Sequence, residues 1–321
     1  MTMNFSVYKQ AQRLPNVNFD TISEVLAEPD TFVWLSIKEP SASQLKRIQA
    51  QFNLHDLAVE DANTTHQRPK LEEYGDTVFL AVHGAKLKGE EIVHGQLHLF
   101  VAKQFVILIQ HGGPMRYDSV QNRCERCPEL FINGSGYALY AFLDQVVDQF
   151  LPIAELFQKK LDELEDAIFK TSLDSPLIES IYDLKKDVAR LHNLAAPIAD
   201  ICAELSRLHP EIVTKELKPY YRDVQDHVER IARITVMLRD ALSDAMQVNL
   251  ALVTVRQNEV VKRLAGWGAI LAVPTMIFSM HGMNFDNIPQ YHWAMGFPMT
   301  LAVTAYACRE LYCKLKKSGW L

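Results

Sequence analysis

The chain has 321 residues, enough for a sizeable hydrophobic core, and a formal net charge of −6 at pH 7. This mild acidity, with no strong basic stripe, argues against nucleic acid as a partner. The five cysteines are an odd and scattered set, which indicates a reducing compartment rather than a disulfide framework. Cys124 and Cys127 form a lone C-x-x-C that lacks the two further ligands of a structural zinc site.

The first part of the chain predicts a mixed domain of strands and helices. Short segments rich in β-branched and aromatic residues, bounded by turn residues, predict strands at 32–37, 77–82, 96–101 and 105–109. Segments 43–52 and 54–61 predict helices. The strand signals stop near Tyr137, so we expect an α+β domain over residues 1–136. Because the N-terminus has no apolar signal core, we expect this domain to be cytosolic.

Helical patterns dominate the middle of the chain. Tyr137–Lys170 and Ser175–Leu208 each predict one long helix. We expect these two helices to form a cytosolic helical hairpin within residues 137–217.

A third helical pattern begins near Lys218 and, after Pro219, contains neither Gly nor Pro until Gly266. A continuous helix over 218–282 would be about 95 Å long at about 1.5 Å per residue. A small domain cannot bury such a helix, so we expect residues 218–263 to be a stalk that packs on copies of itself.

The end of the chain predicts two membrane spans. A 20-residue window from Leu264 to Met283 contains no Asp, Glu, Lys or Arg, and this length crosses a hydrocarbon core of about 30 Å. A second uncharged run ends before Arg309, and basic residues flank the pair, which places both termini in the cytoplasm for a multi-pass protein of the inner membrane. The alternative, a buried hairpin of a soluble protein, fits the charge distribution less well. The expected first span, external loop, second span and basic tail are 264–283, 284–291, 292–308 and 309–321.

One face of the first predicted span carries small or weakly polar residues at steps of three and four, the repeat of a supercoiled seam. They are Asn258, Val261, Ala265, Gly268, Ala272, Thr275, Ser279 and Gly282. Small residues favour close helix packing, while Asn, Thr and Ser oxygens also suit a pore wall with Leu264 beside the seam as a hydrophobic gate. Because two spans cannot enclose a pore, a transport function requires an oligomer.

Gly282-Met283-Asn284 lies at the outer end of this seam. Gly282 frees its backbone carbonyl and Asn284 offers an amide oxygen, so an oligomer would present a ring of oxygens to the first-shell waters of Mg²⁺. This stretch, after a run containing Pro274-Thr275, resembles the CorA family of divalent-cation channels. Further blocks resemble that family in the same order: Val59–Asp61, His66–Lys70, Pro219–His227, Asn258–Lys262 and Gly319–Leu321.

This resemblance covers most of the chain from about Phe32 onward. It implies a homopentameric, funnel-shaped channel in the lipid bilayer, with an α+β cytosolic domain, a long stalk helix and a two-helix transmembrane hairpin. It implies that Gly282, Met283 and Asn284 form the selectivity filter and that the pore is lined by residues that include Asn258, Leu264, Ala272 and Thr275.

The resemblance also implies a regulatory Mg²⁺ site between neighbouring subunits. Its carboxylates are Asp61 and Asp223, with Glu60, Asp144 and Asp148 nearby. A divalent ion converts repulsion between such carboxylates into attraction, so cytosolic Mg²⁺ would favour a closed state. Mg²⁺ is therefore expected as both the transported and the regulatory ion, and Zn²⁺, Co²⁺ and Ni²⁺ are further transported candidates.

The sequence departs from the magnesium-carrying members of that family at two positions. Gln290 replaces an acidic residue of the outer loop, and Gln247 replaces one at the cytosolic mouth. The loop, with Ile288-Pro289, then resembles the ZntB zinc-transporting branch, and His281 and His292 flank it.

Since the filter stretch and the carboxylate pair are both retained, we favour Mg²⁺ uptake gated by cytosolic Mg²⁺. Proton-coupled Zn²⁺ transport is the alternative, and a membrane-anchored interaction protein is the third interpretation. No phosphate-binding loop or nucleophile–base pair occurs in the sequence, so we expect no enzymatic activity.

Overall fold

The computed structural model describes residues 3–15, 17–64, 68–113, 118–170, 175–283 and 293–321. The chain divides into two compact units, Met1–Ser243 and Asp244–Leu321. The predicted external loop 284–291, including Asn284 of the predicted filter, and His66 and Gln67 lie outside the described residues.

Within the described residues, the first unit is built on one seven-stranded sheet of order β2-β1-β3-β7-β6-β5-β4. The strands are β1 Met3–Lys9, β2 Gln12–Leu14, β3 Thr31–Lys38, β4 Lys70–Tyr74, β5 Thr77–Lys88, β6 Glu91–Ala102 and β7 Phe105–His111. Neighbouring strands are antiparallel except β3 and β7, which are parallel. A two-residue loop joins β5 to β6, and Gly89 in its first position has φ 66°, which a type II′ turn requires.

Helices complete both units, together with a 3₁₀ turn at Phe19–Thr21. The helices are α1 Ile22–Val25, α2 Ala42–Phe52, α3 Asp56–Asn63, α4 Asp118–Glu125, α5 Pro128–Phe131, α6 Ser135–Asp148, α7 Phe150–Lys170, α8 Ser175–Leu208, α9 Lys218–His281 and α10 Gly296–Lys317. The predicted strands, the helix at 43–52 and the long helix from Lys218 are therefore confirmed. Ser41 and Gln44 form a capping box at the start of α2, which satisfies amides that the first helical turn leaves unpaired.

The sheet is covered on both faces, as the near-continuous apolar character of its central strands requires. Side chains alternate along β3: Val33, Leu35 and Ile37 join the core that includes residues of α2 and α3. Trp34 points to the other face and packs against Phe142 of α6, with ring centroids 4.9 Å apart.

The single helix predicted over Tyr137–Lys170 is wrong, because the structure has α6 and α7 with a turn at Gln149 between them. Pro152 explains the break. Proline has no N–H to donate to the carbonyl four residues earlier, here that of Asp148, and its ring would clash with that carbonyl in a continuous helix.

A close backbone approach holds the start of α6 against the chain that leads into α9. A Cβ atom on Gly136 would lie 1.9 Å from the Ile212 carbonyl oxygen, so only glycine fits there. The Tyr221 hydroxyl donates to the Gly136 carbonyl at 2.8 Å, and the Tyr221 side chain is buried. These contacts fix the relative positions of α6 and the first turns of α9.

Candidate functional site

Two helices of the first unit bring metal-ligating side chains together. Asp144 lies on α6, whereas Asp223 and His227 lie one helical turn apart on the same face of α9. One ligand atom from each of the three side chains lies within 4.8 Å of the other two. Two carboxylates and an imidazole at this separation have the geometry and chemistry to hold one divalent cation.

The carboxylate of Asp144 is the most enclosed part of this group. Its side chain is 9% exposed, and one oxygen forms an ion pair with Arg123 Nη1 of α4 at 2.6 Å. Asp223 is largely exposed, and its carboxylate lies 4.0 Å from the His227 ring. The group therefore opens to solvent on the α9 side.

Asp148 contributes negative charge next to the group. Burial raises the pKa of Asp148, and the charge of Asp144 raises it further, with a smaller contribution from Asp223. His227 and Arg123 act in the opposite direction. Asp148 therefore lies within electrostatic range of Asp144 and Asp223.

Two of the five acids that the resemblance implies belong to this group. The structure brings Asp144 and Asp223 together within one chain, and it adds His227, which the sequence reasoning missed. The signal was present, because an acid and a histidine four residues apart on a helix face the same way. Imidazole nitrogen suits Zn²⁺, Co²⁺ and Ni²⁺, whereas Mg²⁺ prefers oxygen ligands, so His227 bears on ion identity.

Asp61 and Glu60 lie on α3 and are not members of this three-residue group in a single chain. Asp61 forms an ion pair with Lys70 Nζ at 2.6 Å, and the same ammonium lies 2.8 Å from a carboxylate oxygen of Glu72. Asp61 is only partly exposed and Glu60 is exposed. The pairing of Asp61 with Asp223 across a subunit boundary stays a prediction.

The second unit contains the membrane-length part of α9. Among the described residues, α9 is the helix that is long and apolar enough to cross a membrane, and its apolar part is almost entirely unburied in the single chain. Pro274 lies inside this helix. The second predicted span begins at His292, outside the described residues, and continues as α10, which carries Arg309 and Glu310 beyond its apolar part.

Helix α10 covers one face of this part of α9. The Cys308 thiol lies 3.8 Å from the Ile270 carbonyl, the rings of Trp267 and Tyr312 are 6.3 Å apart, and the C-terminal Leu321 lies against Gly266. Near the end of α9, His281 Nδ1 lies 2.8 Å from the Ile277 carbonyl and the ring faces Thr300 of α10.

The seam of small residues lies away from these contacts. All of the predicted pore-lining residues are exposed in the single chain: Asn258, Val261, Leu264, Ala265, Gly268, Ala272, Thr275 and Ser279. A Cβ atom on Gly268 would meet nothing within 4 Å, and the Thr275 hydroxyl donates to the Leu271 carbonyl at 2.8 Å, which leaves its oxygen able to accept further bonds. Gly282 and Met283 follow the end of α9 and are also exposed.

A membrane-length apolar helix with an exposed, weakly polar seam, in a chain whose polar unit carries three side chains able to hold a divalent cation, is compatible with a metal-ion transport protein. The family described as CorA-like Mg²⁺ transporter protein matches residues 29–317. The chain belongs to this family, whose members are transporters and channels and not enzymes.

Individual relatives agree with this assignment. The chain is 28% identical over 298 residues to the cobalt/magnesium transport protein CorA of Thermotoga maritima, covering 92% of this chain and 85% of that protein. The solved structure of the complete CorA magnesium transporter of Methanocaldococcus jannaschii has the same fold over 100% of both chains, with a TM-score of 0.80 at 19% identity. The cytoplasmic domain of ZntB from Vibrio parahaemolyticus matches 70% of this chain and 96% of its own, with a TM-score of 0.51 at 10% identity.

Proposed function

We propose that this chain forms a homopentameric channel that admits Mg²⁺ through the cytoplasmic membrane, driven by the membrane potential and inhibited by cytosolic Mg²⁺ bound between subunits. Family membership supports divalent-cation transport in general. The pentamer, the direction of transport and the gating are the proposal.

The observation that carries the transport proposal is the exposed seam on the membrane-length part of α9. Exposed residues of a spanning helix meet lipid, a neighbouring helix or water. Small residues with Thr275 and Asn258 oxygens do not offer lipid a large apolar surface, while α10 already covers the opposite face. Five copies of this seam around an axis would surround a narrow path, and Asn284 would lie at its outer end.

The metal-ligand group supports the regulatory part of the proposal. A divalent cation held by Asp144, Asp223 and His227 would neutralise the acids that gather there, and a carboxylate from a neighbouring subunit, such as Asp61, would complete its coordination. Binding would then stabilise one arrangement of the subunits over another by its differential affinity.

A second candidate cargo is Zn²⁺ or Co²⁺. The imidazole of His227 in the ligand group favours these ions over Mg²⁺ at the regulatory site, and the loop with Gln290 in place of an acid weakens cation capture outside. These features support the ZntB-like alternative, in which a proton gradient drives uptake.

Flux into proteoliposomes tests these proposals. The full-length protein is reconstituted, and uptake of Mg²⁺, Co²⁺ and Zn²⁺ is followed with a potential alone and with a proton gradient alone. We expect Mg²⁺ entry with the potential alone and its arrest as internal Mg²⁺ rises. Uptake of Zn²⁺ only, and only with the proton gradient, would contradict the magnesium proposal.

The regulatory site is tested separately by Asp223→Asn, which preserves shape and removes one charged ligand. We expect transport to persist while the internal Mg²⁺ concentration for half-inhibition rises at least tenfold. Asp226→Asn is the matched control, because Asp226 is an exposed acid on the same helix turn outside the ligand group. If the two variants are half-inhibited at the same internal Mg²⁺ concentration, the regulatory assignment is refuted.

A further inference from the structure

The ion pair of Arg123 with Asp144 places a protein cation on a carboxylate that the candidate metal centre also uses. We infer that Arg123 competes with the divalent cation for Asp144 and thereby sets the metal concentration at which the site fills. This inference rests on the metal centre of the proposed function. It assigns to Arg123, a residue of α4 that supplies no metal ligand, the role of tuning the threshold of the site.

Two contacts hold the guanidinium of Arg123 in place. Nη1 lies 2.6 Å from Asp144 Oδ2, and Nη2 donates to the Tyr140 hydroxyl at 3.3 Å. The guanidinium carbon is 5.8 Å from the centre of the Tyr140 ring. Asp144 and Tyr140 lie one turn apart on α6, so both contacts aim the positive charge at the enclosed side of the ligand group.

A shift of the α4 backbone does not readily displace the guanidinium, because hydrogen bonds hold α4 against the sheet. The Gln121 amide donates to Ser6 Oγ at 3.0 Å and to the Tyr8 hydroxyl at 2.6 Å, and that hydroxyl donates to Glu125 at 2.5 Å. Displacement must therefore come from the side chain. The Arg123 side chain is 40% exposed, so it can rotate towards solvent while Asp144, at 9%, stays in place.

The arrangement makes metal binding an exchange of cations. An enclosed carboxylate without a counter-charge is costly, and Arg123 supplies that charge when no metal does. A divalent cation on Asp144, Asp223 and His227 would meet the guanidinium at close range, and the two positive charges repel. Arg123 therefore lowers the affinity of the site for metal while it protects the folded unit from an unpaired Asp144.

Asp61 shows the same arrangement independently. Its carboxylate, which the family resemblance implies as a regulatory ligand, lies 2.6 Å from Lys70 Nζ on β4. Asp144 and Asp61 lie on different helices, and each is paired with a basic side chain from a neighbouring element.

The test is metal binding by purified full-length protein in detergent, measured by isothermal titration with Mg²⁺ alone and with Co²⁺ alone. We expect Arg123→Gln to lower the concentration for half-occupancy at least tenfold, equivalent to about 1.4 kcal/mol. Arg126→Gln is the matched control, since it removes the same charge from an exposed residue three positions away and should leave the midpoint unchanged. If Arg123→Gln instead damaged the fold, it would raise the concentration for half-occupancy.

A second variant keeps the test valid if Arg123→Gln does not fold. Arg123→Met retains a long apolar stem against Tyr140 and should shift the midpoint in the same direction, whereas Arg123→Lys should stay near the wild type. In an Asp144→Asn background, Arg123→Gln should have no effect on affinity. An unchanged or raised midpoint in both charge-removing variants overturns the inference, and so does an equal shift in Arg126→Gln.

The inference about Arg123 and the proposed transport function can fail independently of each other. If reconstituted wild-type protein carries no divalent cation but Arg123→Gln binds metal more tightly, the transport proposal fails and the inference stands. If the protein transports Mg²⁺ and binds it through Asp144 with no influence of Arg123, the inference alone fails.

Discussion

Acidification should destabilise the first unit through the buried imidazole of His98. Its Nδ1 donates to the Ala62 carbonyl at 3.1 Å, and its Nε2 is buried without a hydrogen-bond partner among the described residues. Burial is the main reason that the pKa of His98 falls from 6.5 to about 4. The bond to Ala62 and the charge of Asp61 favour the protonated ring, while His111 and His83 oppose it.

The magnitude follows from the two pKa values. Between pH 6.5 and about 4 the unfolded chain binds more protons than the folded chain. The stability that the neutral His98 ring contributes is therefore fully present above pH 6.5 and is lost as the pH falls through that range. One pKa unit corresponds to about 1.4 kcal/mol, which gives a full loss of about 3 kcal/mol and about 2 kcal/mol at pH 5.

Urea unfolding followed by the fluorescence of Trp34 measures this loss. Trp34 is buried in the first unit, and the other three tryptophans lie in the second unit. His98→Asn retains a donor near Nδ1 and does not titrate, so its unfolding free energy should fall by about 2 kcal/mol less than that of the wild type between pH 7.5 and pH 5. Equal losses in the two proteins would refute the account of the buried imidazole.

Two other substitutions test the packing and the seam. Gly136→Ala should destabilise the first unit by about 1–3 kcal/mol and weaken Mg²⁺ binding, because the new methyl group would clash with the Ile212 carbonyl; thermal unfolding with and without Mg²⁺ measures both effects. Gly268→Leu should leave folding intact, since open space surrounds that position in one chain, but should reduce Mg²⁺ flux more than tenfold. Ala302→Leu, which places the same side chain at an exposed position of α10, should conduct normally.

The sequence predicts the central strands and the long helices because their apolar patterns are uniform. It misses β1, β2 and β4. In β4, an edge strand, Lys70, Glu72 and Glu73 discourage further pairing, and the same charges hide the strand signal. The sequence carries a signal for the break between α6 and α7 in Pro152, but the strong helical pattern on both sides outweighs that residue.

The candidate metal centre is harder to predict from sequence. Asp144 and Asp223 are far apart in the chain, and they meet where Gly136, near the start of α6, allows a close approach of the chain that leads into α9. The family resemblance identifies both acids as candidate ligands, and the four-residue spacing from Asp223 identifies His227 as a third candidate. Arg123 has no such signal, since its role depends on the packing of α4 against α6.

We propose that five copies of the α9 seam surround the ion path, and electron cryo-microscopy of the purified protein in lipid nanodiscs would show whether they do. We expect five subunits with Gly268, Ala272 and Thr275 facing the central axis and α10 on the outside. A monomer, or an axis lined by Trp267 and Phe278, would contradict this proposal.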